Sequence, residues 1–218
     1  CFSLLLIDGF GQSPLYFRKS FGDSIPSIDQ GDYVKTLTNG YLVGGSTTSA
    51  YPNWDHYFIK TNLNGTLDWE LKESDLSTSK IIWGGSFYDN YFYFVGVTRD
   101  TTTNLETGLM TKTDTLGNII WSKTVGDSTK FNAFFEIIRD LNGDFILSGS
   151  IKDTATGALW GYLTKVDTAG NKIWSQEFPG MFGNGIENLI QLADSSFVLT
   201  GFHDLNVLGG LLWLIRTD

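Results

Sequence analysis

Leu163-Thr164-Lys165-Val166-Asp167-Thr168-Ala169-Gly170-Asn171-Lys172-Ile173-Trp174 reads as a strand, a tight turn and a second strand. Apolar and β-branched residues flank an Asp-x-x-Gly turn, in which Asp holds the backbone and Gly supplies positive φ. The same words recur along the chain. Phe17, Trp69, Trp121 and Trp174 lie 52, 52 and 53 residues apart. Gly45, Gly96, Gly149 and Gly201 are spaced by 51, 53 and 52, and Lys60, Lys112, Lys165 and Arg216 by 52, 53 and 51. Asn62, Asp114, Asp167 and Asp218 follow the basic residues at an offset of two, and Gly65, Gly117 and Gly170 complete the turns.

Working outward, each period holds four short strands. In the third repeat they run over 134–139, 144–150, 160–166 and 172–178. Asn-Gly at 39–40 and 142–143 and Asp-Asn at 89–90 supply the hairpin turns. No stretch keeps a 3.6-residue apolar period with caps, so almost no helix is expected. A period of about 50 residues with four strands is the signature of a β-propeller blade. The expected fold is therefore all-β, a β-propeller of four-stranded antiparallel blades with about four blades present. The segment 15–21 aligns with fourth strands and 211–216 with third strands, which makes sixteen strands. Either 15–21 completes the last blade of a four-bladed ring, or the chain is the first part of a larger ring.

The ladders first read as structural. One Trp per blade suits packing between blades, where an aromatic buries about 150–250 Å². Glycine in a second strand marks close backbone approach. The Lys/Arg and Asp/Asn ladders, two apart on one side of a strand, read as a repeated surface ion pair.

The 218 residues carry 41% hydrophobic and 18% charged residues, which excludes disorder. A net charge of −9 argues against a nucleic-acid or anionic-membrane partner. One Cys excludes an internal disulfide and a Cys-based zinc site. The apolar run 2–7 is far short of the about 20 residues a transmembrane helix needs. Small residues at −3 and −1 of a cut before Gln12 make residues 1–11 read as the remnant of a secretory signal peptide, leaving 12–218 as propeller repeats. A buried first strand and a lipidated Cys1 are the alternatives.

The words Trp121-Ser122-Lys123-Thr124-Val125-Gly126, Asp144-Phe145-Ile146-Leu147-Ser148-Gly149 and 163–174 resemble the roughly 50-residue propeller repeats of secreted Bacteroidetes proteins. Many of those end in a type IX secretion sorting domain. The resemblance covers about 14–218 and implies a secreted or cell-surface protein without naming an activity. The turn is also similar, more distantly, to the tryptophan-docking turn of quinoprotein dehydrogenases, with its Asp-to-Gly spacing one residue shorter; that similarity concerns fold alone.

Alternating strands send every second connection to one face. The variable connections 46–55, 98–106, 150–159 and 202–210 gather there, together with 22–31, 73–80, 126–132 and 179–185. Variable loops on a rigid scaffold are the natural binding face. The candidates are Tyr51, Trp54, Asp55 and His56, which combine aromatic area with charge, then Asp100, Asp153, His203 and Asp204. Asp100, Asp153 and Asp204 read as solvated loop aspartates, so no cofactor is expected; the alternative is that they ring a channel mouth as a weak Ca²⁺ site or a cation-selective rim. No nucleophile elbow, phosphate loop or EF-hand loop is present, and no catalytic residue is named. The expected function is a binding or scaffold propeller with a protein or carbohydrate ligand. The alternative is a propeller enzyme acting on glycans through carboxylates at the channel mouth.

Overall fold

A computed structural model describes residues 17–22, 27–50, 53–73, 77–180, 183–206 and 209–217. The run 1–11 and Tyr51 lie outside them. Among the described residues fifteen strands and no helix occur. The strands are β1 (Asp29–Leu37), β2 (Gly40–Ala50), β3 (Asn53–Thr61), β4 (Leu67–Glu73), β5 (Thr78–Tyr88), β6 (Tyr91–Asp100), β7 (Glu106–Thr113) and β8 (Ile119–Val125). Then come β9 (Asn132–Arg139), β10 (Phe145–Lys152), β11 (Leu159–Val166), β12 (Lys172–Phe178), β13 (Gly185–Gln191), β14 (Phe197–Asn206) and β15 (Gly209–Arg216). They pair as consecutive antiparallel neighbours into sheets 1 to 4, with orders β1-β2-β3-β4, β5-β6-β7-β8, β9-β10-β11-β12 and β13-β14-β15. This is the expected β-propeller of antiparallel blades. Residues 15–21, expected as a fourth strand, carry no strand pairing in their described part, 17–21.

The tight turns form as their chemistry demands. Asp89 and Asn90 take φ of 51° and 63° in the β5–β6 turn. In the β7–β8 turn, Asp114 Oδ1 accepts the N–H groups of Leu116 and Asn118, and Gly117 sits at φ 91°. Asp167 and Gly170 repeat this before β12.

The sheets stack serially, 1 on 2, 2 on 3 and 3 on 4. The core lies between them, not within one sheet. Phe58 of sheet 1 packs against Phe94 of sheet 2 at 4.3 Å between ring centres. Ile146 and Leu163 of sheet 3 meet Ile186, Leu189 and Leu199 of sheet 4. Three of the ladder aromatics lean on the turn glycine of the following sheet. A Cβ at Gly117 would lie 2.9 Å from Trp69, and one at Gly170 would lie 3.1 Å from Trp121. Phe17 stands over Gly65 in the same way. Trp174, next in the series, is 37% exposed.

The basic ladder does form ion pairs, but with partners other than those its spacing implied. Asp114 and Asp167 are taken up by their own turns. Lys60 pairs with Asp68 at 2.5 Å, Lys165 with Asp140 at 2.6 Å and Asp144 at 3.1 Å, and Arg216 with Asp194 at 2.7 Å. Lys112 instead lies 3.7 Å from the Tyr91 ring centre.

Candidate functional site

Among the described residues the loop-face candidates are spread over sheets 1 to 4. Much of 46–55 is strand, so Asp55 and His56, expected on a protruding loop, are buried in β3. His56 Nδ1 lies 3.0 Å from Glu73 Oε2, and Lys80 Nζ reaches the same oxygen at 3.1 Å. Burial pushes His56 below its ordinary value. The His56 hydrogen bond, helped by Lys80, holds Glu73 down at about 2. Trp54 is half-buried, and its backbone N–H donates to Ser79 Oγ at 2.9 Å. These contacts tie sheet 1 to sheet 2.

Asp100 Oδ1 accepts the N–H groups of Thr102 and Thr103 at 2.8 and 2.7 Å. Asp153 Oδ2 accepts the N–H and hydroxyl of Thr156 at 2.8 and 2.5 Å. Both carboxyls are lowered by bonds inside their own turns. His203 Nδ1 lies 2.7 Å from Asn184 Oδ1, at the opposite end of the stack from His56. Asp204 lies on β14, its side chain outside the described set. Among the described residues no three acidic, imidazole or thiol groups gather as metal ligands would. Asp100 and Asp153 each hold their own turn through one carboxylate oxygen.

A second constellation lies on the first strands, β1, β5, β9 and β13, which pack against one another in succession and form the inner edge of the stack. Each carries one β-bulge at the same repeat position. The register slips across Asp32 in β1, Trp83 in β5, Phe135 in β9 and Glu187 in β13. A bulge adds an unpaired residue and re-aims its side chain, and bulges concentrate next to active sites. Trp83 and Phe135 meet edge to face at 5.3 Å, so the extra residues of adjacent inner strands touch.

The ladder glycines make these bulges possible. A Cβ at Gly45, Gly96, Gly149 or Gly201 would collide with the carbonyl of Gln30, Ile81, Ala133 or Gly185, each two residues before its bulge. Close backbone approach, the expected reason for the ladder, is the observed one. The bulge residues themselves were missed by sequence reasoning. They recur after 51, 52 and 52 residues, but as Asp, Trp, Phe and Glu they share only position.

The inner edge holds acids in contrasting surroundings. Asp32 is half-buried; Gln30 donates to its Oδ1 at 2.6 Å, while its buried Oδ2 has no hydrogen-bond partner among the described residues. Glu136, one residue past the Phe135 bulge, is half-buried and raised from its ordinary value by desolvation. The Tyr33 phenol, on β1, is pushed up to about 12 by burial and then by the charges of Glu136 and Tyr88. A carboxyl raised by burial, a carboxylate oxygen left open and two aromatic faces thus share one strip of strands.

No family model matches the chain. No curated protein matches it either. Solved structures do. The endo-arabinase of Bacteroides thetaiotaomicron superposes with a TM-score of 0.53 at 11% identity, covering 88% of this chain and 82% of that one. A xylan beta-1,4-xylosidase from Bacillus halodurans gives 0.48 at 14% identity over 87% of this chain and 40% of its own. A GH43 endo-arabinanase from Bacillus licheniformis gives 0.31 at 12% identity, covering 84% and 91%. At these identities the arabinase likeness is one of fold, and it agrees with the blades described above: the chain is a β-propeller.

Proposed function

We propose that this propeller acts on a carbohydrate at its inner edge, with Glu136 as proton donor and Asp32 as the partner carboxylate. The carrying observation is the pairing of opposite environments on equivalent inner strands: Glu136 raised by burial, Asp32 with an open buried oxygen. Glycoside cleavage uses two carboxyls, one held neutral and one ionised, and environment sets which is which. Trp83 and Phe135 offer apolar ring faces to a sugar, and the Ile137 N–H donates to Glu136 Oε1 at 2.9 Å. The similarity to an endo-arabinase supports a pentose-rich glycan as the first substrate to try.

The second reading is a non-catalytic binding or scaffold propeller with a protein or carbohydrate ligand. The observation in its favour is that Asp100 and Asp153 each accept hydrogen bonds within their own turns on that rigid face. In both readings the protein works outside the cytoplasm, secreted or on the cell surface. That part rests on the repeat resemblance to Bacteroidetes proteins of the type IX secretion route and on the signal-like run before Gln12.

The test is sugar release from arabinan and xylan, with a glycan array beside it. Release by the wild type that is lost in Glu136→Gln supports the enzyme. Array binding without release supports the scaffold and refutes catalysis.

A further inference from the structure

Near the tight turns, sheets 2 and 3 and sheets 3 and 4 are bridged from one repeat position. It is the first-strand residue whose partner lies four places before the ladder glycine: Phe87 opposite Phe92, Arg139 opposite Phe145 and Gln191 opposite Phe197. Arg139 reaches back to sheet 2, with Nη1 2.6 Å from Asp89 Oδ2 and its guanidinium 5.7 Å from the Tyr88 ring centre. Gln191 Oε1 accepts the Leu141 N–H, before β10, at 2.8 Å. Phe87 has no polar atom with which to reach sheet 1. Its ring packs within sheet 2 instead, 4.7 Å from Phe92. At the place of Asp89 the sheet 1 turn has Thr38.

Between sheets 1 and 2 this seam opens into a cavity of about 730 Å³, within the roughly 300–1,000 Å³ usual for small-molecule sites. Leu37, Trp69 and Phe87, partly buried on the core shared by the two sheets, give it an apolar wall with Leu116, which is 71% exposed. Asn39, Asn90 and the Lys60–Asp68 ion pair give it a polar one. Asp68 stands where the later repeats have Ile120 and Ile173, and Leu116 where the next has Ala169. The amides of Asn118 and Asn171 are spent on Asp114 and Asp167, whereas those of Asn39 and Asn90 make no hydrogen bond among the described residues. Departures from the repeat thus gather in one seam and set an apolar wall beside uncommitted donors and acceptors.

That chemistry selects the ligand. Lys60, the cation lining the cavity, is already held by Asp68, so a phosphate or carboxylate gains no free charge there. One carboxylate is too few for a divalent cation. A wholly apolar ligand would desolvate the amides of Asn39 and Asn90 without replacing their hydrogen bonds. A sugar ring offers a C–H face to Trp69 and Phe87, and hydroxyls that both donate and accept. We infer that this seam is a binding site for a neutral glycan, on the tight-turn face and separate from the inner edge. It shares no residue with Asp32, Trp83, Phe135 or Glu136, so it holds a glycan whether or not the inner edge cleaves one.

The test transplants the closed seam into the open one. Thr38→Asp together with Phe87→Arg, in the 218-residue chain, places the counterpart of the Asp89–Arg139 pair between sheets 1 and 2. Wild type, this double variant and Glu136→Gln are titrated with neutral arabino- and xylo-oligosaccharides by calorimetry and tryptophan fluorescence, and screened on an array of neutral and acidic glycans. The expected result is a neutral glycan bound alike by wild type and Glu136→Gln, and at least about tenfold more weakly by the double variant at an undiminished Tm. Asn39→Ala with Leu116→Ala, both at exposed residues, should keep the wild-type melt and weaken the same binding by about threefold or more. This second variant decides the matter if the first does not fold. No neutral glycan bound by wild type, or equal binding by wild type and the seam variants, would overturn the inference. Binding lost in Glu136→Gln but kept in the seam variants would overturn it as well, and would assign the glycan to the inner edge.

Discussion

Replacing Trp121 by Ala is expected to cost far more stability than the same change at Trp174, although the two occupy the same repeat position. Trp121 is half-buried and packs on the core shared by sheets 2 and 3. Its ring lies edge to face with Tyr93 at 6.4 Å, and the Gly170 turn closes over it. About 200 Å² of aromatic surface at ~25 cal/mol/Å² gives an upper bound near 5 kcal/mol for complete burial. Partial exposure lowers this to about 3 kcal/mol. Trp174 is 37% exposed and has no turn glycine over it among the described residues, so its loss should cost about 1 kcal/mol. At roughly 2–4 °C per kcal/mol for a chain of this size, Tm should fall about 6–12 °C for Trp121→Ala and about 2–4 °C for Trp174→Ala. Thermal melts with urea titrations at constant m decide it. Equal losses would refute the docking of each aromatic on the next sheet.

Acid should weaken the sheet 1–sheet 2 contact through His56 and Glu73. Glu73 is depressed from 4.5 to about 2, so its contribution is present above pH 4.5 and lost as pH falls toward 2. His56 is depressed below 6.5, so its contribution is present above 6.5 and erodes as pH falls below it. Glu73→Gln should flatten the Tm–pH curve between 4.5 and 2, and an unchanged curve would remove the pair from the account. Glu136 runs the other way. Its raised value favours the fold below 4.5 and loses that advantage as pH rises through it. Glu136→Gln should therefore melt higher than wild type at pH 7, and a lower Tm there would contradict its desolvation. Asp140, nearly inaccessible, accepts the Asn142 and Asp144 N–H groups and pairs with Lys165. Asp140→Ala should cost about 2 kcal/mol by urea denaturation, since it uncaps the turn and leaves the largely buried Lys165 ammonium with Asp144 alone. A loss under 1 kcal/mol would make the pair ornamental.

The fold was legible because its determinants are local and repeated. Asp114, Gly117 and Trp121 act within eight residues of chain, so each period spells out its own turn and docking ring. The strand bounds of the third repeat came within two residues for the same reason; the last strand, Lys172–Phe178, matched at both ends. Partners that depend on register across strands were not legible. Lys165 finds Asp140, 25 residues away, and no spacing rule says so. The inner-edge site was hidden differently. Asp32, Trp83, Phe135 and Glu187 share a bulge but no chemistry, and a ladder search sees residue types. The signal was present indirectly in Gly45, Gly96, Gly149 and Gly201, whose missing Cβ atoms admit the carbonyls ahead of each bulge. Asp55 and His56 misled because an aromatic, acidic segment reads as a loop, while β3 is buried on both faces from Asp55 onward.

The central claim is that the inner edge, not the loop face, carries the chemistry. The most direct measurement is reducing-sugar release from arabinan by wild type, Glu136→Gln, Asp32→Asn and the loop variant Asp100→Ala, each shown folded by its melt. The account predicts release by wild type and Asp100→Ala, and loss of at least a hundredfold in Glu136→Gln and Asp32→Asn. Full release by Glu136→Gln and Asp32→Asn, or loss only in Asp100→Ala, would contradict it.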